Sequence, residues 1–347
     1  MKNRFRLWVQ ISLILVYLVI TAGSIVRMTG SGMGCPDWPK CFGYIIPPTE
    51  RSQLDWNPHR EYKKGQIIIQ NNRLLVANSS FTSLSEFSEN NWLIYTKHDY
   101  AEFNVYQTYT EYINRLLGAL AGLATLILFI LSLGFYKSKK SLTFFSLLIV
   151  LLMGFQGWLG KVVVDSNLLP TKVSLHMVAA LIIVFFLMTL YSLTWQRHSM
   201  ISNIKNPWIN RLLLLGFGLL IVQIGFGLQV RQIIDLQINQ GLVMSDISLK
   251  QNTPTSYYQH ARLGVALLIL HSVLFIQFLK SKQLPRLFTF IFLLILLEVI
   301  IGLVLYHFNF PFATQPLHLL LASILLGLYF LVILDKSFWK FGFKFQT

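Results

Sequence analysis

The chain has 347 residues, 54% of them hydrophobic and only 12% charged, and its mean hydropathy is positive. A soluble globular protein carries about 25% charged residues, so this composition excludes a cytosolic enzyme, a disordered chain and a nucleic-acid module. The net charge is +15, from 29 Lys and Arg against 14 Asp and Glu, and two cysteines are too few to frame a secreted disulfide scaffold.

Crossing a bilayer takes about 20 apolar residues per helix. Such runs occur at Leu7–Val26, Tyr112–Phe135, Leu142–Val163, Val173–Trp195, Trp208–Val230, Tyr257–Leu279, Leu287–His307 and Phe312–Leu334. They predict an all-α membrane protein of eight transmembrane helices. The first run is too long, and continues too directly into a tryptophan- and proline-rich loop, to read as a cleaved signal peptide. No Arg/Ser-rich transit segment precedes it, so the expected location is a bacterial cytoplasmic membrane.

After span one comes a long loop, residues 27–110, which opens with Met28-Thr-Gly-Ser-Gly-Met-Gly-Cys35-Pro-Asp-Trp-Pro-Lys-Cys41. Two cysteines at this spacing, among glycines and prolines and on the oxidising side, can close a small disulfide. They read either as a structural staple or as a thiol–disulfide couple that exchanges electrons with a partner. Further on, Gly65 to Ala77 places two β-prone runs around Asn71-Asn72, which predicts a hairpin. It carries no recognisable chemistry and is expected to be a surface module.

Span two opens on Glu111-Tyr-Ile-Asn114-Arg115, with Glu111 and Asn114 on one helix face. Glu111 reads as a proton-relaying carboxylate or as a helix N-terminal acid set against the macrodipole. Span three carries Gln156-Gly-Trp-Leu-Gly160, and His176 follows in span four. Span six holds His260 near its start and His271 about three turns deeper. Span seven carries Glu298-Val-Ile-Ile-Gly302, and His318 follows in span eight. His271 has no counterpart on the other even-numbered spans and is expected to be a packed histidine. His59, His98, His198 and His307 fall in loops or at span ends, where solvated surface is the expectation.

The basic residues orient the chain. Lys2, Arg4, Arg6, Lys137, Lys139, Lys140, Arg197, Lys205, Arg211, Lys280, Lys282, Arg286, Lys336, Lys340 and Lys344 share one side with a single acid, Asp335. Both termini are therefore expected in the cytoplasm. The excess charge is a topology signal and a contact for anionic lipid, not a nucleic-acid site.

The chain also repeats itself. Span one ends Gly23-Ser-Ile-Val-Arg27 and span five ends Gly227-Leu-Gln-Val-Arg231. In each half a glycine, Gly160 or Gly302, precedes a histidine, His176 or His318, by 16 residues. Four spans per half is an even number, so two tandem four-helix bundles, residues 1–200 and 201–347, would share one orientation about an axis along the membrane normal. His176, His260 and His318 then lie at similar depth, and Asn114 stands at the fourth position. Neutral imidazoles on facing helices can clamp a haem; a single histidine at such a place is also satisfied by the wet interface. Arg27, Arg115, Arg231 and Arg262 sit at the same level, where guanidinium groups pair with propionates or snorkel to headgroups.

The string Gly23 to Gly43, the string Gln156-Gly-Trp-Leu-Gly-Lys-Val-Val-Val-Asp-Ser166 and the duplicated eight-span plan closely resemble haem A synthases. The resemblance covers nearly the whole chain except the hairpin insert around residues 60–100. It implies O2-dependent oxidation of the C8 methyl of haem O to a formyl group, giving haem A for terminal oxidases. It implies a b-type haem held by His260 and His318 in the C-terminal half, with Arg262 nearby. It places the substrate haem O in the N-terminal half by His176, Glu111 and Arg115, with Cys35 and Cys41 in redox delivery or loop stiffening. The family's fourth histidine falls on Asn114, so the substrate iron would be five-coordinate through His176 or bound by water. Haem O synthase is the expected supplier, the electron donor stays unidentified, and self-association is left open. Two rivals remain: a di-haem cytochrome b for quinol oxidation, which His271 favours, and a transporter built from parallel repeats, for which Gln156, Gln223 and Glu298 are the few polar candidates.

Overall fold

Eight helices long and apolar enough to cross a membrane make up most of the computed structural model, which describes residues 2–97, 102–195, 207–239, 254–282 and 284–334. They are α1 (Lys2–Met28), α2 (Val105–Leu133), α3 (Lys140–Asp165), α4 (Pro170–Thr194), α5 (Pro207–Asn239), α6 (Thr255–Lys280), α7 (Arg286–His307) and α8 (Thr314–Leu334). Of the basic face, Arg197, Lys205, Lys336, Lys340 and Lys344 lie outside the described residues, as do Asp335, His98 and His198.

Most of the helices extend past their apolar runs at one end or both, because polar residues there still satisfy the backbone. α2 begins well before Tyr112: the Asn104 side-chain oxygen accepts the N–H groups of Tyr106 (3.0 Å) and Gln107 (3.3 Å), a standard N-cap. Glu111 and Asn114 therefore lie inside a helix rather than at its start. α5 runs beyond Val230 and carries Arg231, Gln232 and Asp235 on its last turns. Within the spans, Thr21, Thr110, Thr189 and Ser272 turn their hydroxyls back onto carbonyls one turn earlier, so these four donors are satisfied within their own helices.

The helices form two closed rings of neighbours. α1 packs on α2 and α4, with α3 between α2 and α4; α5 packs on α6 and α8, with α7 between α6 and α8. The rings meet through α1 with α8, α4 with α8, and α4 with α5. α4 and α8 form the seam: 44% of each spanning window is buried, against 28% or less for the other six. Ile183, Val184 and Leu187 of α4 and Leu331 of α8 share one core there. Lipid is as apolar as these side chains, so close packing and hydrogen bonds, not water exclusion, hold the seam.

The loop between α1 and α2 folds into more than the expected hairpin. β2 (Ile67–Gln70) and β3 (Arg73–Ala77) pair antiparallel as foreseen, and Asn71 and Asn72 both take positive φ (49° and 56°), as the two-residue turn requires. β5 (Trp92–Ile94) adds to β3, while β1 (Glu61–Tyr62) pairs with β4 (Phe81–Thr82). The two-residue strands are too short to show an alternating pattern in sequence. One face of the β2–β3–β5 sheet packs Ile67, Ile69 and Leu74 on Cys35, Cys41 and Phe42. The opposite face packs Ile68 and Ala77 with Tyr62 and Trp92. The sheet is thus not a detached surface module but a cover over the cysteine loop.

Candidate functional site

The C-terminal half brings His260 of α6 and His318 of α8 together, with ring centroids 6.1 Å apart and ring planes at 80°. His260 Nδ1 lies 3.1 Å from the carbonyl oxygen of Gln223 on α5, and His318 Nδ1 lies 2.5 Å from Glu298 Oε2 on α7. An Nδ1–H held in this way leaves Nε2 with its lone pair for a metal. Metal–imidazole bonds of about 2 Å, with each ring centre about 1 Å beyond its nitrogen, put two axial rings about 6 Å apart. The pair fits a haem iron.

Glycines on the neighbouring helices make the room. A Cβ at Gly227 would stand 3.0 Å from His260 Cε1, and one at Gly302 would stand 3.9 Å from His318 Cε1. The N-terminal half repeats both contacts. A Cβ at Gly160 would meet His176 Cε1 at 3.6 Å, and one at Gly23 would meet Asn114 Oδ1 at 3.7 Å. Gly23 and Gly227, like Gly160 and Gly302, are the pairs aligned by the internal repeat, so Asn114 occupies the place that His260 takes in the other half. Gln156, the counterpart of Glu298, donates through Nε2 to the His176 carbonyl at 3.0 Å. His176 Nδ1, Asn114 Oδ1 and Gln156 Oε1 are all buried without a hydrogen-bond partner among the described residues. In the C-terminal half His318 Nδ1, Gln223 Oε1 and Glu298 Oε1 are likewise without a hydrogen-bond partner among the described residues, and buried polar atoms left open in both halves fit a group that supplies the missing bonds.

Beside this position lies the cysteine loop, closed by a Cys35–Cys41 disulfide whose Cα atoms are 4.7 Å apart. Both cysteines are buried, at 0% and 1% exposure. That favours the staple over a bridge open to a passing thiol. Gly34 fits directly against the backbone of Gln107 and Thr108, where a Cβ would stand 2.5 to 2.7 Å from backbone atoms. Thr108 Oγ1 donates to the Gly34 carbonyl at 2.8 Å. Both carboxylate oxygens of Glu111 are engaged: Oε2 accepts the Cys35 N–H of the loop at 2.8 Å, and Oε1 pairs with Arg115 one turn on along α2.

Arg115 corrects the expectation drawn for it. It does not stand free for a propionate. Its guanidinium donates to the carbonyls of Asp37 (2.7 Å), Lys40 (2.9 Å) and Cys35 (3.2 Å) as well as to Glu111. One residue turns a helix by about 100°, so Arg115 faces the loop while Asn114 faces Gly23. Arg262 is exposed on α6. Arg27 and Arg231, read as propionate or headgroup contacts, share the carboxylate of Asp235, and Arg231 also donates to Gln315 of α8. Asp235 was missed; its position four residues after Arg231 was the available signal.

His271 is a packed core residue, as expected. It is 0% exposed, with Nδ1 2.7 Å from the Leu267 carbonyl and Nε2 3.0 Å from the Tyr329 hydroxyl. Both ring nitrogens are spent, which removes the support it lent to a deeper second haem.

The chain matches the family described as COX15-CtaA, cytochrome oxidase assembly protein, over residues 6–95 and 65–330. The two segments overlap within the outer-loop sheets. The chain is 29% identical to a heme A synthase of Shewanella oneidensis over 218 residues, covering 63% of this chain and 54% of that protein. It is 32% identical to one from Orientia tsutsugamushi strain Boryong over 171 residues, covering 49% of this chain and 40% of the relative. With a heme A synthase of Ehrlichia ruminantium strain Gardel the identity is 25% over 352 residues, spanning 92% of this chain and 89% of the relative. In the first two of these alignments the chain spans about half the relative's length or less.

Proposed function

The chain belongs to the COX15-CtaA family of cytochrome oxidase assembly proteins, and from that footing we propose that it is a membrane oxidoreductase that converts the C8 methyl of haem O to the formyl group of haem A. The observation that carries this reading is one ligand arrangement met in both halves, in which a glycine faces Asn114, His176, His260 and His318 in turn. The C-terminal copy has two imidazoles and would hold a resident b-type haem; the N-terminal copy has one imidazole and would hold the substrate. A haem bound between two imidazoles supplies single electrons to a neighbouring site.

The protein's own groups do the rest. Gln223 and Glu298 fix the orientation and tautomer of the two C-terminal rings. His176 anchors haem O in the N-terminal half. Glu111 serves proton handling at the reacting edge, held in place by the Cys35 N–H and Arg115. Two successive hydroxylations of the methyl give a hydrated aldehyde, and loss of water leaves the formyl group. Each consumes O2 and draws electrons from a donor outside the chain. The basic bias of one set of loops supports both termini in the cytoplasm, and haem O synthase is the natural supplier of the substrate.

The test is expression beside a haem O source, followed by chromatography of the extracted haems. Haem A in the extract is the expected result; unmodified haems alone would reject the reading.

A further inference from the structure

Resting on the function proposed above, the two halves differ in one respect that the activity alone does not require. In the C-terminal half, imidazoles from α6 and α8 face one another, with His260 Nδ1 3.1 Å from the Gln223 carbonyl and His318 Nδ1 2.5 Å from Glu298. In the N-terminal half, His176 stands where His318 does, packed against Gly160 as His318 is against Gly302. Opposite that place the repeat puts Asn114 against Gly23, where the other half has His260 against Gly227. Asn114 Oδ1 is buried and has no hydrogen-bond partner among the described residues.

A carboxamide is a hard oxygen donor suited to Mg2+ or Ca2+, whereas imidazole suits iron. It is also shorter than an imidazole, so an asparagine at a histidine's place leaves space as well as an unspent acceptor. We propose that Asn114 is a positioning residue that keeps one face of the substrate iron open: His176 is the sole protein ligand there, and on the opposite face the Asn114 amide engages a small molecule, Oδ1 accepting from water or the side-chain N–H donating to an oxygen species or azide. The C-terminal haem is closed on both faces and the N-terminal haem on one. This division suits a substrate site that O2 must reach and an electron-transfer site that O2 must not.

The experiment uses the full-length protein in detergent, produced beside a haem O source and then loaded with added haem O. Ferric spin state is read by electron paramagnetic resonance and optical spectra, with azide as the exogenous ligand. The wild type is expected to show one low-spin and one high-spin haem, with azide converting only the high-spin centre. Asn114→His should turn that centre low-spin and abolish its azide response. Asn114→Leu should keep it high-spin and weaken azide binding by about two- to tenfold, as loss of one hydrogen bond does. His318→Ala should remove the low-spin signal and leave the high-spin one.

Two low-spin haems in a wild type that makes haem A would overturn this inference and leave the function standing. An azide response unchanged in both Asn114 variants would overturn it as well. A chain that takes up only one haem under full loading, with no haem A in its extract, would remove the inference and the function together.

Discussion

Arg27, at the end of α1, and Asp235, near the end of α5, form an ion pair that ties the N-terminal half to the C-terminal half. Arg27 Nε lies 3.0 Å from Asp235 Oδ2, and Arg231 Nη2 lies 2.9 Å from Asp235 Oδ1 on the other side. All three side chains are largely buried, at 16%, 12% and 15% exposure for Arg27, Asp235 and Arg231. One carboxylate therefore serves two guanidinium groups across the boundary between the halves.

Asp235→Ala strands both arginines. Removing one partner of a buried pair costs about 3–5 kcal/mol, more than the pair itself contributes. The expected outcome is a lower unfolding midpoint in detergent, with haem lost from both halves together. Asp235→Asn, which keeps the shape and an acceptor, should fall between. A midpoint unchanged in Asp235→Ala would show that the pair does not hold the halves.

This pair also shows where sequence reading reached its limit. The spans were legible because apolar runs are long and uninterrupted, and the Asn71-Asn72 turn because its chemistry is local. The histidine positions were legible because the repeat sets Gly160 and Gly302 at one spacing from His176 and His318. The partner of Arg27 lies 208 residues away, and nothing local announces it. Arg115 was misread for a related reason: its depth was right, but the direction it faces depends on where the cysteine loop docks. That docking is decided by Gly34 against α2 and by the sheet above, whose short strands left no periodic trace.

Glu298 should tune the C-terminal haem rather than hold it. Its carboxylate sits against His318 Nδ1, and such outer partners raise ligand basicity and typically account for 10- to 100-fold in metal affinity. Glu298→Ala should weaken haem retention by about that factor and raise the reduction potential of the low-spin centre. Glu298→Gln, which installs the residue native to the other half, should retain the haem with a smaller rise. Redox titration of the purified variants decides it; coincident potentials in all three proteins would remove Glu298 from this role.

Asp37 gives the outer loop a pH dependence. Burial pushes its carboxyl above the ordinary aspartate range, against the N–H of Gly43 at 2.9 Å and the charge of Arg115. The folded chain thus holds this proton more tightly than the unfolded chain does. Its contribution to stability is complete below the ordinary aspartate pKa, about 3.9, and is lost as pH rises through the raised folded value. Asp37→Asn, neutral at every pH, should flatten that part of the profile. Thermal midpoints in detergent from about pH 4 to pH 7 test this; parallel profiles for the two proteins would refute it.

Glu111 and the disulfide loop separate in their expected effects. Glu111→Ala should abolish haem A formation while the low-spin spectrum of the His260–His318 centre stays intact, because Glu111 belongs to α2 and the loop, not to that pair. If haem A production persisted, its part in proton handling would be abandoned. Replacing Cys35 and Cys41 together by serine removes the covalent staple but leaves the loop docked by Thr108 on Gly34 and by Arg115 on three carbonyls. Haem A yield should fall only in part. Arg115→Ala releases those three carbonyls and leaves Glu111 buried without its counter-charge, a loss of about 3–5 kcal/mol, so its yield should fall further than that of the double serine variant. Arg115→Lys keeps the charge but not the fork that reaches several carbonyls at once, and should lie between them. The opposite order, with the serine variant inactive and Arg115→Ala near wild type, would make the sulfur atoms the working part of the loop and the arginine incidental.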